Sequence, residues 1–216
     1  MAIHQQFPQG MDGKKHPINK LLEEASDVVR RCKEAANTIK PTEDHKGNQI
    51  AVLKEFATNN NLWLDFTDSP IIYLDKGGEN EVFYDGKSSV IKFNNFEYAG
   101  EDLTNFFIRM VAHNYFFNNI PYELIGFAEN SRKEFCAVLK QPYVQAKREA
   151  KVKEITQYMK SLGFAKGYYS DEFYNDKYEI FDAVPNNVLY GKDDILYFID
   201  TQIRLREIEI TQPDVQ

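Results

Sequence analysis

The sequence predicts an α+β protein in which a helical hairpin precedes a five-stranded antiparallel sheet carrying one helix, followed by a further helix and a reduced set of closing strands. Three observations carry this. Apolar residues recur near helical spacing over 17–61, the pattern switches to short β-rich runs from Trp63 onward, and one apolar helical stripe at 103–117 interrupts those runs. At 216 residues the chain suits one good-sized domain or two small lobes sharing a cleft.

Residues 1–16 are polar, with Gly and Pro, and are expected to be disordered. Over 17–40, Pro17 suits a first helical turn, and Leu21, Leu22, Ala25, Val28, Val29 and Cys32 form a stripe. Pro41 and Gly47 punctuate a turn, and 48–61 supplies a second helix, so 17–61 reads as a helical hairpin. IIYL (71–74), EVFY (81–84) and SVIKF (89–93) read as strands, separated by Lys76-Gly77-Gly78 and by the hairpin signal Asp85-Gly86. The helix at 103–117 turns Leu103, Phe106, Phe107, Met110 and Val111 to one side. Residues 122–130 and 133–141 form another hairpin, so that 62–144 makes one sheet-bearing unit. The remainder, 145–216, opens with a mixed-charge helix at 145–164 closed by Gly163, and continues with strands near 178–181, 187–191 and 195–199.

The net charge of −7 argues against nonspecific nucleic-acid binding, which needs basic surface to replace phosphate counterions. The one basic run, KREAKVK (147–153), reads as the solvated face of a helix. Cys32 and Cys136 lack metal-type spacing and are expected to be reduced thiols. No signal-peptide core or membrane-length apolar run is visible, so a cytoplasmic protein with no membrane association is expected. The four histidines show no catalytic pairing, and His113 reads as a structural residue on its helix.

Chemistry concentrates in three places. Lys92 interrupts an apolar strand, and strand alternation puts it on one face with Val90, away from Ile91 and Phe93. Upstream, Gly77-Gly78 forms a turn where backbone can approach a ligand without a Cβ in the way. In EIFDAVPNNVLYGKDDILYFID (179–200), Asp182 ends one strand, Asn187 begins the next five residues on, and Asp200 ends its hairpin partner. The hairpin returns Asp200 close to Asn187, giving an amide oxygen and a carboxylate suited to Mg²⁺. Asp182, at the start of the loop, is placed to accept a hydroxyl proton.

These residues resemble the protein-kinase family. D-A-V-P-N-N (182–187) with the following hairpin to Asp200 is similar to the kinase catalytic loop and metal-binding segment, and SSVIKF (88–93) to the strand bearing the phosphate-contacting lysine. FCAVLKQPYV (135–144) is similar to the fifth strand and hinge. The order of elements matches over 71–203, and GGENEVF, KQPYV and the D-x-V-P-x-N-V-L run resemble the small kinase domains of polyvalent proteins from phages and mobile elements. The resemblance implies a kinase-like fold using ATP and Mg²⁺. Lys92 would hold the α/β-phosphates and Asp182 would be the catalytic base. Asn187 and Asp200 would hold the metal, Gly77 and Gly78 would cover the phosphates, and backbone near Gln141, Tyr143 and Val144 would meet adenine.

The sequence also departs from that family. Ile180-Phe181 stands where His-Arg precedes the catalytic Asp, and Thr201-Gln202 follows Asp200 in place of Phe-Gly. With 16 residues after Asp200, a strongly reduced C-terminal lobe is expected. The helix at 103–117 has no acid to pair with Lys92, and Glu101 and Asp102 read as first-turn dipole partners. If Asp85 to Ser88 form the turn, Tyr84 opposes Ser89 and Glu81 opposes Lys92, which predicts that Glu81 orients the lysine. Three functional readings follow. One is an ATP-dependent phosphotransferase with an unknown acceptor, and another is a pseudokinase that binds nucleotide or docks a protein through the helical hairpin. The last is a metal-dependent nuclease using Asp182 and Asp200, which leaves Lys92 and the glycines without a role.

Overall fold

The computed structural model describes residues 19–39 and 45–206, divided into one unit ending at Gln145 and another beginning at Ala146. The expectation for 1–16 lies outside the described residues. Helix α1 (Lys20–Ile39) starts after Asn19, whose side chain accepts the Leu22 amide at 2.7 Å as an N-cap. Helix α2 (His45–Asn59) includes Gly47 in its first turn, where the sequence suggested the turn between the two helices. The two helices form the expected hairpin, and Leu22, Ala25, Val29, Leu53 and Ala57 are all buried.

A five-stranded sheet follows, formed by β1 (Ile72–Lys76), β2 (Asn80–Tyr84), β3 (Ser89–Asn94), β4 (Glu123–Glu129) and β5 (Phe135–Pro142). The spatial order is β1-β2-β3-β5-β4 and every neighbouring pair is antiparallel. Helix α3 (Thr104–Phe116) connects β3 to β4. One face of the sheet shares a core with all three helices, built on Phe96, Leu103, Phe106, Phe107, Met110, Leu124, Phe127 and Leu139. Each such large side chain contributes about 2 kcal/mol by leaving water. Ile91, Phe93, Ala128, Cys136 and Val138 form a smaller cluster on the other face, roofed by Leu64, Phe66 and Phe83. The apolar face of the helical hairpin is therefore occupied within the first unit.

Asp102 ties the hairpin to the sheet-bearing part. It accepts Lys33 Nζ from α1 at 2.7 Å, Gln49 Nε2 from α2 at 2.8 Å, and the amide and hydroxyl of Thr104 at the start of α3. Gln49 in turn accepts the Leu103 amide at 2.8 Å. Burial works against ionisation, yet the bonds from Lys33, Thr104 and Gln49 outweigh it and hold the Asp102 carboxyl down to about 2. Expected in the first turn of α3, Asp102 lies two residues ahead of the helix, where it bonds the Thr104 amide and the helical hairpin together.

The second unit departs from the expected long helix. Residues 146–149 form strand β6 (Ala146–Glu149), and helix α4 (Val152–Ser161) begins only after it. Glu154 reaches back to the Lys151 amide at 2.8 Å and grips Arg148 through both carboxylate oxygens, which sets the helix start. The basic run is exposed apart from the buried Ala150, but its first three residues are strand. Gly163, with φ +84°, ends α4 as expected. Two small sheets complete the unit. β6 pairs with β10 (Val188–Gly191), which pairs with β11 (Leu196–Phe198). The other contains β7 (Ala165–Lys166), β8 (Phe173–Tyr174), β9 (Tyr178–Phe181) and β12 (Gln202–Leu205), in the order β12-β9-β8-β7. Among the described residues, no helix is long and apolar enough to cross a membrane.

The depressed Asp102 carboxyl makes a prediction. Its folded pKa, about 2, lies below the ordinary value of 3.8, so its stabilisation is present above about pH 4 and lost as pH falls through about 2. Asp102→Asn should lower the urea-unfolding free energy by about 1–3 kcal/mol at neutral pH. The gap from wild type should narrow steadily toward pH ~2.

Candidate functional site

Lys92 lies in the middle of β3, opposite Val82 on β2 and Leu139 on β5. Strand alternation turns it toward α3 together with Val90 and Asn94, and it is only 5% exposed. A buried ammonium needs compensation, because desolvating a charge costs several kcal/mol. Its ammonium donates to the Tyr122 hydroxyl at 3.1 Å and sits 5.1 Å from the centroid of the same ring. A second buried charged pair lies between the β1–β2 turn and α3, where Arg109 donates to Glu79 at 2.9 Å with both side chains 5% exposed or less. His113, one turn along α3 from Arg109, is fully buried and bonded through Nε2 to the Ile120 carbonyl at 3.0 Å. Burial chiefly, with help from the positive charges of Lys92 and Arg109, drops His113 to about 3 and keeps it neutral.

Glu81 does not orient Lys92. The β2–β3 register pairs Tyr84 with Val90, Val82 with Lys92 and Glu81 with Phe93. The cause is the turn. The Asp85 carboxylate accepts the amides of Lys87, Ser88 and Ser89, and the Asp85 amide bonds the Ser89 carbonyl at 3.0 Å. The loop is thereby one residue longer than expected, with Gly86 at φ +73°. That single-residue shift moves Glu81 to the opposite face of the sheet. There it bonds Lys76 Nζ at 2.7 Å and the amide of Ser131 at 3.2 Å. Burial opposes its ionisation, but these bonds keep the Glu81 carboxyl below its usual range.

The turn bearing the glycines is tight. The Gly77 amide bonds the Asn80 carbonyl at 2.9 Å, leaving Gly78-Glu79 at the tip. A Cβ on Gly78 would overlap the Tyr98 hydroxyl, whereas one on Gly77 would meet nothing. A side chain at Gly78 would therefore need the exposed Tyr98 ring to swing aside, and Gly77 keeps an open backbone surface. At the end of β5, the Gln141 side chain is buried and donates to the Ile120 carbonyl at 3.0 Å. The Tyr143 amide donates to the Ser88 carbonyl at 2.8 Å, and its ring lies 4.7 Å from that of Tyr84. That amide is therefore engaged within the fold. Val144 follows, just before the boundary of the unit at Gln145.

In the second unit, Asp182, Asn187 and Asp200 are drawn together by two sets of strand pairings. Val188 pairs with Phe198 and the Ile199 amide bonds the Asn187 carbonyl at 2.9 Å, so the hairpin sets Asp200 next to Asn187. Phe181 pairs with Gln202, which brings the chain after Asp200 back beside the chain at Asp182. Asp182 itself has φ +57°, a left-handed conformation that Asp tolerates better than most residues. Pro185 opens a short 3₁₀ turn (Pro185–Asn187), and the Asn187 amide nitrogen donates to the Asp182 carbonyl at 3.0 Å. The Asn187 amide oxygen consequently faces away from that bond. Asp182 reaches solvent, yet the protein packed around it raises its pKa, as does the negative charge of Asp200. Asn187 opposes the shift and Asp171 adds to it.

Five features of these surroundings escaped the sequence reading. Arg109 falls on the apolar face of its helix, three residues after Phe106, and that misplaced charge was the available signal. Its partner Glu79 and the lysine's partner Tyr122 carry no local signature. Asp171, whose carbonyl accepts the Ala183 amide at 3.3 Å, lies in a turn with no periodicity. Strand β12 could have been found from the alternation in Gln202-Ile203-Arg204-Leu205.

A profile of the family described as "Serine/Threonine/Tyrosine Kinase found in polyvalent proteins" matches residues 46–207. A search of curated proteins gave no match.

The register has a direct test. Glu81→Gln should act on stability alone, since the Glu81 carboxylate lies on the face away from Lys92. The loss of its charged bonds to Lys76 and the Ser131 turn should lower the unfolding free energy by about 1–2 kcal/mol in a denaturant titration.

Proposed function

Because the chain belongs to the family of serine/threonine/tyrosine kinases found in polyvalent proteins, we propose that it binds ATP with Mg²⁺ and transfers the γ-phosphoryl group to an acceptor hydroxyl. The observation that carries this reading is the Asp182–Asn187–Asp200 arrangement. Asn187 spends its amide nitrogen on the loop that holds Asp182, which turns its oxygen outward on the same hairpin that delivers Asp200. One neutral and one anionic oxygen fit Mg²⁺, a hard cation usually held by one or two carboxylates together with phosphate oxygens and water.

Asn187 and Asp200 would hold the cation, which when bound would neutralise charge on the phosphoryl oxygens. Lys92 would take the α/β-phosphates, its ammonium already desolvated and held in one direction by the fold. Gly77 would let backbone lie against the phosphates, and backbone of the Gln141–Val144 run would read adenine. Asp182 would accept a hydrogen bond from the acceptor hydroxyl and align it, and its raised pKa makes it a better base than an ordinary Asp. Phosphoryl transfer depends mainly on positioning and charge neutralisation, so this small set of groups is sufficient for the chemistry.

Melting curves test the reading. ATP and MgCl₂ together should raise the midpoint by several degrees, corresponding to about 3 kcal/mol at a hundredfold excess over Kd, with little effect of either alone. Lys92→Met and Asp200→Asn should abolish the shift. Asp182→Asn should keep the shift but lose transfer of the γ-phosphate. A shift without transfer in the wild type would favour a nucleotide-binding, noncatalytic protein, and no shift at all would remove the nucleotide from the account.

A further inference from the structure

We propose that Tyr168, at the tip of the β7–β8 hairpin, is a modification site at which the chain accepts its own transferred phosphoryl group, within one molecule. This rests on the reading of Asp182 as the base of a phosphotransferase. The placement comes from the backbone of the second unit. β7 and β8 pair Ala165 with Tyr174 and Lys166 with Phe173, and the Gly167 amide closes the turn on the Glu172 carbonyl at 2.7 Å. β8 also pairs with β9, Phe173 opposite Ile180, and two further residues of that antiparallel register set Asp171 alongside Asp182. The Ala183 amide holds them there, donating to the Asp171 carbonyl at 3.3 Å. The tip Tyr168-Tyr169-Ser170 therefore starts beside the loop that carries Asp182.

This turn holds its backbone tightly and leaves its tip side chains outside. A Cβ on Gly167 would lie 2.6 Å from that of Glu172, so the two arms of the turn approach as closely as a glycine allows. The Glu172 carboxylate accepts the Tyr169 amide at 3.2 Å, and the Glu172 amide donates to the Tyr169 carbonyl at 3.4 Å. Tyr168 by contrast is 92% exposed, its ring meeting that of Tyr169 edge-on with centroids 5.0 Å apart. A tyrosine at this exposure contributes little to folding, and its phenol stands further from the backbone than the Ser170 hydroxyl does. Rotation about its side-chain bonds swings that phenol while the turn stays tied to Ala183. In the transfer, the phenol oxygen attacks the γ-phosphorus of ATP. The bond from that phosphorus to the bridging oxygen breaks, and ADP leaves with the electron pair. The phenolic proton passes to the Asp182 carboxylate and then to water. Holding acceptor and base in one small unit replaces a bimolecular encounter by a local one.

The test is to incubate the full chain with ATP and MgCl₂, follow phosphate incorporated per chain, and locate it by fragmentation mass spectrometry. Phosphate should appear on Tyr168 at a first-order rate that dilution of the protein leaves unchanged. Tyr168→Phe should lower incorporation by roughly tenfold or more, while its ligand-free melting point and its shift with ATP and MgCl₂ match wild type. Asp182→Asn should incorporate none. Phosphate on other residues with Tyr168 unmodified, undiminished incorporation in Tyr168→Phe, or a rate proportional to protein concentration would overturn the proposal. So would wild-type incorporation in Asp182→Asn, which would trace the label to another enzyme. ADP formed with no phosphate on the chain would overturn the proposal and leave the phosphotransferase reading standing. A wild type that neither shifts with ATP and MgCl₂ nor releases ADP would overturn that reading itself, and this proposal with it.

Discussion

A lysine ammonium buried between a sheet and a helix is the constraint around which the first unit is arranged. Lys92 sits at 5% exposure in the centre of a five-stranded sheet, and a charge there is tolerated only where the fold supplies polar groups at fixed positions. Those groups form a layer between sheet and helix: the Tyr122 hydroxyl on Lys92, the Glu79–Arg109 pair beside α3, and the Asn80–Asn94 amide bond at 2.9 Å. His113 belongs to the same layer but stays neutral, so it adds no further charge. Large aromatic residues close in on this layer from the helical side. A polar layer inside such a core rigidifies the structure when its members are bonded and is costly when they are not.

The helical hairpin is part of this arrangement. Its leucines, alanines and valine lie in the same cluster as α3 and the sheet, and Asp102 gathers α1, α2 and the first turn of α3 at a single carboxylate. The position of α3 is therefore set from both sides, by the sheet through Tyr122 and Glu79 and by the hairpin through Asp102 and Gln49. A protein docking on the hairpin would have to use its remaining faces. In the second unit a different economy operates, with short strands, two small sheets and a loop whose Asp182 is held in a left-handed conformation by an asparagine five residues on. Strain of this kind persists where surrounding structure over-determines it, here by two strand pairings on either side of the loop.

Much of the fold was legible because its signals are local. The strand runs at 71–74, 81–84 and 89–93, the helical stripe at 103–117 and the Gly163 stop all appear within one or two residues of their places. The gathering of Asp182, Asn187 and Asp200 was likewise readable, since a strand, a turn and a returning strand bring the ends of a short segment together whatever the rest of the chain does. Residues 145–150 were misread because their mixed charges suit a helix, and nothing local announces that Leu189 and Tyr190, some forty residues away, will pair with Glu149 and Arg148.

The sequence by itself therefore determined the order of elements in the first unit, the lysine in the third strand and the acidic loop, because each depends on periodicity or on a short closed segment. Tertiary structure alone decided what surrounds the lysine. One additional residue in the Asp85 turn sent Glu81 to the far face, Tyr122 came in from 30 residues along the chain, and Arg109 met Glu79 across the same separation of 30 residues. The reason is physical. Register converts a one-residue change in a turn into a reversal of faces, and partners for a buried charge are chosen by what packing brings near, not by neighbours along the chain.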